Sequence, residues 1–111
     1  MKKINILKES REFDRIIKNN KPYKYMDYIF FLERNSTDVY KFGLSVGKKI
    51  GNAVRRNKVK RQLKAIIDKK DYQKGFNCII IVGRGINEKR FEEIEENLMC
   101  AFEKLQIIKE K

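Results

Sequence analysis

Histidine is absent from this 111-residue chain, proline occurs once, and cysteine only twice. Without histidine, the chain lacks the commonest general acid–base, the usual nitrogen ligand for zinc and every Ser-His or Cys-His nucleophile pair. Cys78 and Cys100 are too few for a disulfide framework or a thiolate metal cluster. One falls in an apolar run and the other in a helical pattern, so both are expected as buried thiols. No apolar run approaches the roughly 20 residues that span a bilayer. The apolar part of the opening MKKINILKES is too short and too interrupted for a secretory signal, so the expected compartment is the cytoplasm. There is no Walker-type loop, and Gly83-Arg84-Gly85 is a turn too short to cradle phosphates alone. Internal repeats and low-complexity segments are also missing. The chain is poorly equipped as a catalyst.

Acids are scarce as well, 15 against 27 lysines and arginines, for a net charge of +12. With 41% hydrophobic residues this composition describes a folded basic protein, expected as one domain over residues 1–111 with a modest core. The charge is polarised. Residues 41–70 hold eleven bases and one acid, whereas residues 86–103 hold six acids and two bases. One surface suits a polyanion and another suits water.

The basic excess concentrates in GLSVGKKIGNAVRRNKVKRQLKAII, Gly43 to Ile67. Lys48, Lys49, Arg55, Arg56, Lys58, Lys60, Arg61 and Lys64 occur there with no acid between Gly43 and Lys64. Each cation placed on a phosphate releases condensed counterions, so such a surface fits a nucleic acid. The pattern is also ordered. A helix from about Asn52 to Lys69 puts Val59, Leu63, Ile66 and Ile67 on one stripe facing a core. Asn57, Arg61 and Lys64 fall on another stripe, flanked by Lys58 and Lys60. Asn57 adds an amide suited to a base edge, a 2′-hydroxyl or a phosphate. A solvated lysine-rich face is the plain alternative, although uncompensated cations at helical spacing repel one another.

Along the rest of the chain, residues 1–9 read as an extended arm with Ile4, Ile6 and Leu7 as anchors. Ser10 is expected to cap a short helix whose Phe13, Ile16 and Ile17 share a face, ending near Asn19-Asn20 before Pro22. Tyr25–Arg34 reads as one strand, apolar on both faces, with Tyr28, Phe30 and Leu32 opposite Ile29 and Phe31. After the turn Asn35–Asp38, Val39–Lys48 reads as a second strand, antiparallel to the first by hairpin logic. Phe76–Val82 (FNCIIIV) reads as a continuous apolar run but for Asn77, as strands inside a sheet do. Asn87 is expected to cap a last helix carrying Phe91, Ile94, Leu98, Phe102 and Leu105 on one face. Glu92, Glu93, Glu95 and Glu96 lie in its early turns, read as a solvated face rather than as metal-binding or catalytic acids. The order is α-β-β-α-β-α, an α+β sandwich of helices on a small mixed sheet.

Gly51-Asn52-Ala53-Val54, Arg56-Asn57 and Lys60-Arg61, preceded by Gly43-Leu44-Ser45-Val46 and Lys48-Lys49, resemble the signature of the protein subunit of bacterial ribonuclease P. The resemblance extends over nearly the whole chain. It implies a ribosomal-protein-like fold with one extra short strand and a left-handed β-α-β crossover, where general rules favour the right-handed one. It also implies two RNA surfaces. The basic helix and its approach, Lys48, Lys49, Arg55, Arg56, Asn57, Lys58, Lys60, Arg61 and Lys64, would bind the catalytic RNA. A cleft between the first helix and the sheet, with Phe13, Ile17 and Phe31, would take the single-stranded 5′ leader of precursor tRNA. Stacking on rings beside cations holds single strands with little sequence preference. Three positions depart from the family pattern: Ile17 where an aromatic is common, Glu9 where a base is common, and Lys64 where arginine is frequent.

The function this resemblance implies is assistance to RNA-catalysed removal of the leader, with magnesium held mainly by the RNA; no residue of the chain is assigned as a metal ligand. The expected partners are the catalytic RNA and precursor tRNA, with no membrane and no obligate protein partner. Two other classes share some of these features. A ribosomal-protein-like or other general RNA-binding module has the charge but would not restore precursor cleavage. A protein-only nuclease needs an acid cluster that the scattered carboxylates do not suggest.

Overall fold

The computed structural model describes residues 1–110. Its regular elements are α1 (Ser10–Asn19), β1 (Tyr23–Tyr25), β2 (Tyr28–Arg34), β3 (Tyr40–Ser45), α2 (Ala53–Ile67), β4 (Phe76–Val82) and α3 (Phe91–Leu105). Single 3-10 turns cover Lys3–Asn5, Lys48–Ile50 and Arg84–Glu88. The four strands form one sheet in the order β1-β2-β4-β3, with β4 antiparallel to β2 and parallel to β3. This is the expected mixed α+β architecture, including the extra short strand.

The sheet is apolar on both faces because β4 is enclosed on both. On one face, Tyr28 and Phe30 of β2, Phe42 of β3 and Phe76, Cys78, Ile80 and Val82 of β4 pack against α2 and α3. Phe42 is the centre of an aromatic group, its ring centroid 5.0 Å from Tyr72, 5.5 Å from Phe102 and 5.6 Å from Phe76. Burying one such ring contributes about 1.5–3 kcal/mol. The opposite face carries Phe31 and Ile79 beneath α1, whose Ile16 is fully buried.

Several expectations need correction. Tyr25–Arg34 is not one strand: Met26 takes φ 53° and turns the chain, so Tyr25 pairs with Tyr28 across a two-residue loop. No glycine or proline marks this turn; it is held from outside, by Gly83 N–H donating to the Asp27 carbonyl at 2.6 Å. The hairpin pairing of β2 with β3 is also overturned, because β4 lies between them. Gly75, just before β4, is clasped by both limbs of the connecting turn. Its N–H donates to Val39 O at 3.0 Å, and its carbonyl accepts from Asn35 N at 2.9 Å. A β-carbon there would stand 2.7 Å from Asn35 O, and φ is 79°, so glycine fits this wedge where other residues would be strained. The strand expected to run to Lys48 stops at Ser45.

Ser10 is the first residue of α1 rather than its cap; the cap is Glu9, whose carbonyl accepts from Glu12 and Phe13. In the N-terminal arm Leu7 is buried and its N–H donates to Phe42 O at 2.9 Å, whereas Ile4 is exposed and anchors nothing. Cys78 is buried as expected, but Cys100 is only partly so. Asn87 does not cap α3, which begins after Arg90. Its amide is used elsewhere.

Candidate nucleic-acid interface

Helix α2 is divided along its length. Its buried residues are Val59, Leu63, Ile66 and Ile67, the expected stripe, and none precedes Val59. The last two turns therefore fasten the helix to the core, while the first turns carry Arg55 and Arg56, half-buried, and Asn57 and Lys58, exposed. The cap is Asn52, whose side chain accepts from Arg55 N at 3.0 Å. The first turn holds no acid. Stable helices normally put carboxylates at this positive end of the dipole. Two arginines there work against the helix and add to a potential that attracts anions.

None of Lys48, Lys49, Arg55, Arg56, Lys58, Lys60, Arg61 or Lys64 forms an ion pair among the described residues. Elsewhere among the described residues, the side-chain ion pairs are those of Arg15 with Glu12 and Glu33, Lys69 with Glu95, and Arg90 with Glu93. Lys48, Lys49, Asn57, Lys58 and Arg61 are exposed, and Arg55, Arg56, Lys60 and Lys64 are half-buried. Arg56 Nε is buried without a hydrogen-bond partner among the described residues. An unsatisfied buried donor costs roughly 1–3 kcal/mol, which an acceptor supplied from outside would recover.

The second group of expected residues also comes together. Phe13 and Ile17 on α1 and Phe31 on β2 share one cluster with Leu7, Ile16, Ile29, Ile79 and Ile81. Their exposures differ. Phe31 is 7% exposed and forms the floor beneath α1, while Phe13 and Ile17 are half-buried at its edge. Because α1 is only ten residues long, it leaves Ile29 and Ile81 partly uncovered. There a shallow cavity of about 270 Å³ is lined by Ile29, Ile81, Lys24, Met26 and Lys49. Lys49 thus lines the open sheet surface beside Ile29 and Ile81 as well as leading into α2, whereas Phe13, Ile17 and Phe31 do not line this cavity.

The other end of α1 is polar. Glu33 accepts from Arg15 at 2.5 and 3.1 Å and from Asn77 Nδ2 at 3.0 Å. The Arg15 guanidinium, helped by Asn77, holds the Glu33 carboxyl below the usual range against the opposing effect of burial. No group of three or more acidic or cysteine side chains is placed to hold a metal among the described residues. No described helix is long and apolar enough to cross a membrane.

The sequence reading missed Asn87 and the Lys24–Met26 hairpin tip. Asn87 Nδ2 donates to Ile50 O at 2.8 Å, and Asn87 Oδ1 accepts from Arg55 Nε at 2.7 Å. Helix-cap preference was the only local signal at Asn87, and it pointed to the wrong partner.

Known proteins share this fold. A family model described as Ribonuclease P matches residues 1–106. The ribonuclease P protein component of Streptococcus pyogenes (strain Manfredo) is 32% identical over 109 residues, covering 97% of this chain and 92% of that protein. Among solved structures, the RNase P protein from Thermotoga maritima matches with a TM-score of 0.77 at 27% identity, over 86% of this chain and 92% of that one. A Staphylococcus aureus RNase P protein mutant, described as defective in mRNA degradation activity, matches with a TM-score of 0.83 at 25% identity. That match covers 95% of this chain and 91% of the other. With a family model spanning nearly its full length and a fold to match, the chain belongs to the ribonuclease P protein family.

Proposed function

We propose that this chain binds the catalytic RNA of ribonuclease P through the basic face of α2 and its approach, and the 5′ leader of precursor tRNA along the α1–sheet cleft. By family it is the protein component of an endoribonuclease that matures tRNA 5′ ends, with catalysis in the RNA. The observation that carries the RNA assignment is the concentration of eight cations on α2 and the Lys48–Ile50 turn with no acid between Gly43 and Lys64.

Arg56, Asn57, Lys60 and Arg61 would contact the catalytic RNA, joined by Lys48, Lys49, Arg55, Lys58 and Lys64. Phosphates would take the guanidinium and ammonium groups, and Asn57 would take a base edge or ribose hydroxyl. Phe13 and Ile17, at the rim above Phe31, would hold the leader by stacking and apolar contact. Lys49 would neutralise its backbone beside Ile29 and Ile81. Magnesium, held mainly by the RNA, would supply the metal chemistry of the reaction. The protein's own residues would contribute charge and positioning, and a precursor-tRNA substrate would be met in the cytoplasm.

Salt titration of binding to Streptococcus pyogenes ribonuclease P RNA tests the assignment. The expected result is tight binding with a steep negative log–log slope, since each phosphate contact adds nearly one unit. A shallow slope, or equal affinity for an unrelated RNA of the same length, would contradict it.

A further inference from the structure

Among the cations of the RNA surface, Arg55 is the one whose side chain forms a hydrogen bond among the described residues. Its stem lies against Gly51, where a β-carbon would come within 3.0 Å of Arg55 Cγ. Gly51 has φ 152°, so the backbone as well as the space favours glycine. At the far end, Nε donates to Asn87 Oδ1 at 2.7 Å. Asn87 is fixed in turn, because its Nδ2 donates to the carbonyl of Ile50, a residue buried in the core. The 3-10 turn after β4 is thereby tied to the turn that leads into α2. With Nε occupied, the two terminal nitrogens of Arg55 form no hydrogen bond or ion pair among the described residues.

We propose that Asn87 is a positioning residue for RNA docking: it fixes the Arg55 guanidinium so that its two terminal nitrogens are presented to a backbone phosphate of the catalytic RNA. The proposal rests on the reading of α2 as the RNA-binding helix. The chemistry of the amide matters. A carboxylate at residue 87 would hold the guanidinium as well but would neutralise it, whereas a neutral acceptor orients the cation and leaves its charge available. A planar guanidinium already held in one orientation loses less freedom when it meets two phosphate oxygens. Lysine at residue 55 could not replace it, since it has no Nε–H to give Asn87.

The test is a mutant cycle on the full chain, read as affinity and salt slope for Streptococcus pyogenes ribonuclease P RNA. Asn87→Ala is measured in three backgrounds: Arg55, Arg55→Lys and Arg55→Ala, with thermal melts on each protein. Asn87→Ala should weaken binding about three- to tenfold when Arg55 is present, the cost of ordering one long side chain. It should change affinity by less than about twofold in either substituted background, because sites that act through one another are not additive. Arg55→Lys should keep the salt slope, and Arg55→Ala should reduce it by about one unit. A purely structural Asn87, acting only through Ile50, would weaken binding equally in all three backgrounds and overturn the proposal. Wild-type protein that fails to prefer this RNA over an unrelated one would overturn the RNA-binding reading, and this proposal with it.

Discussion

The ring of Phe13 rests on the backbone of Gly43, so closely that a β-carbon at residue 43 would stand 2.6 Å from Phe13 Cζ. Gly43 pairs with Ile79 across the sheet, and Ile79 with Phe31, so this one row carries the docking of α1. The bare position in β3 lets the helix approach and keeps Phe13 at the cleft edge. Gly43→Ala should therefore force the ring outward and destabilise the fold by about 1–3 kcal/mol, as overpacking does. Urea unfolding would report it as a lower midpoint at unchanged slope. Equal midpoints would mean that Phe13 can move aside without cost.

The two RNA surfaces should separate by mutation. Arg61→Ala, on the exposed face of α2, should weaken binding of the catalytic RNA roughly tenfold, the loss of one charge-assisted hydrogen bond, and reduce the salt slope by about one unit. Phe13→Ala should leave that affinity alone and weaken holoenzyme binding of precursor tRNA roughly tenfold, one stacked base. Removing the leader from the tRNA should abolish the Phe13 effect. If both substitutions weakened both affinities alike, the division into two surfaces would be wrong.

Tyr72→Phe provides a control outside both surfaces. The buried Tyr72 hydroxyl donates to the Ile67 carbonyl at 2.8 Å, at the end of α2. Deleting it should cost about 1 kcal/mol of stability. RNA affinity should stay at the wild-type value, since the hydroxyl faces the core and touches none of the cations. A loss of affinity would show that the seating of α2 is transmitted to its basic face.

Stability should respond to pH at the alkaline and acidic ends rather than the middle. Burial pushes the Cys78 thiol up to about 12, and the buried Tyr28 and Tyr72 hydroxyls also move up through desolvation. A group whose folded value is raised binds its proton more tightly when folded. The stability it contributes is present below the unfolded value, near 8.5 for a thiol, and is lost as pH rises through the folded one. Glu33 has the opposite sign: Arg15 depresses it, so its contribution is present above the unfolded value and is lost as pH falls through the folded one. No histidine exists to titrate between. Denaturant midpoints should be flat from about pH 5 to 7, falling on the acid side below and on the alkaline side above about pH 9. Cys78→Val should soften the alkaline fall, and an unchanged alkaline limb would show that the thiol does not contribute.

What the sequence revealed follows from how local each signal is. The stripe Val59, Leu63, Ile66 and Ile67 repeats at helical spacing, and Phe76–Val82 is apolar at every position but Asn77. Both patterns are properties of one segment, and both elements are as expected. The insertion of β4 between β2 and β3 is a pairing of distant segments, and a short turn between two strands suggested the simpler hairpin. The bend at Met26-Asp27 has no turn residue of its own and is held by Gly83, so it lay hidden in an aromatic run. Asn87 looked like a cap because asparagine often is one; its partners Arg55 and Ile50 are over thirty residues away, as the separations of 32 and 37 record. Phe13, Ile17 and Phe31 meet in one cluster, but only the folded chain shows Phe31 as the floor and the other two as the rim.

The central claim is that the chain assists an RNA catalyst. It is tested most directly by combining the purified protein with Streptococcus pyogenes ribonuclease P RNA and labelled precursor tRNA at low magnesium, where RNA alone is slow. Cleavage at the mature 5′ end that requires both protein and RNA is the predicted result. Tight binding without any gain in cleavage, or cleavage by the protein alone, would contradict it.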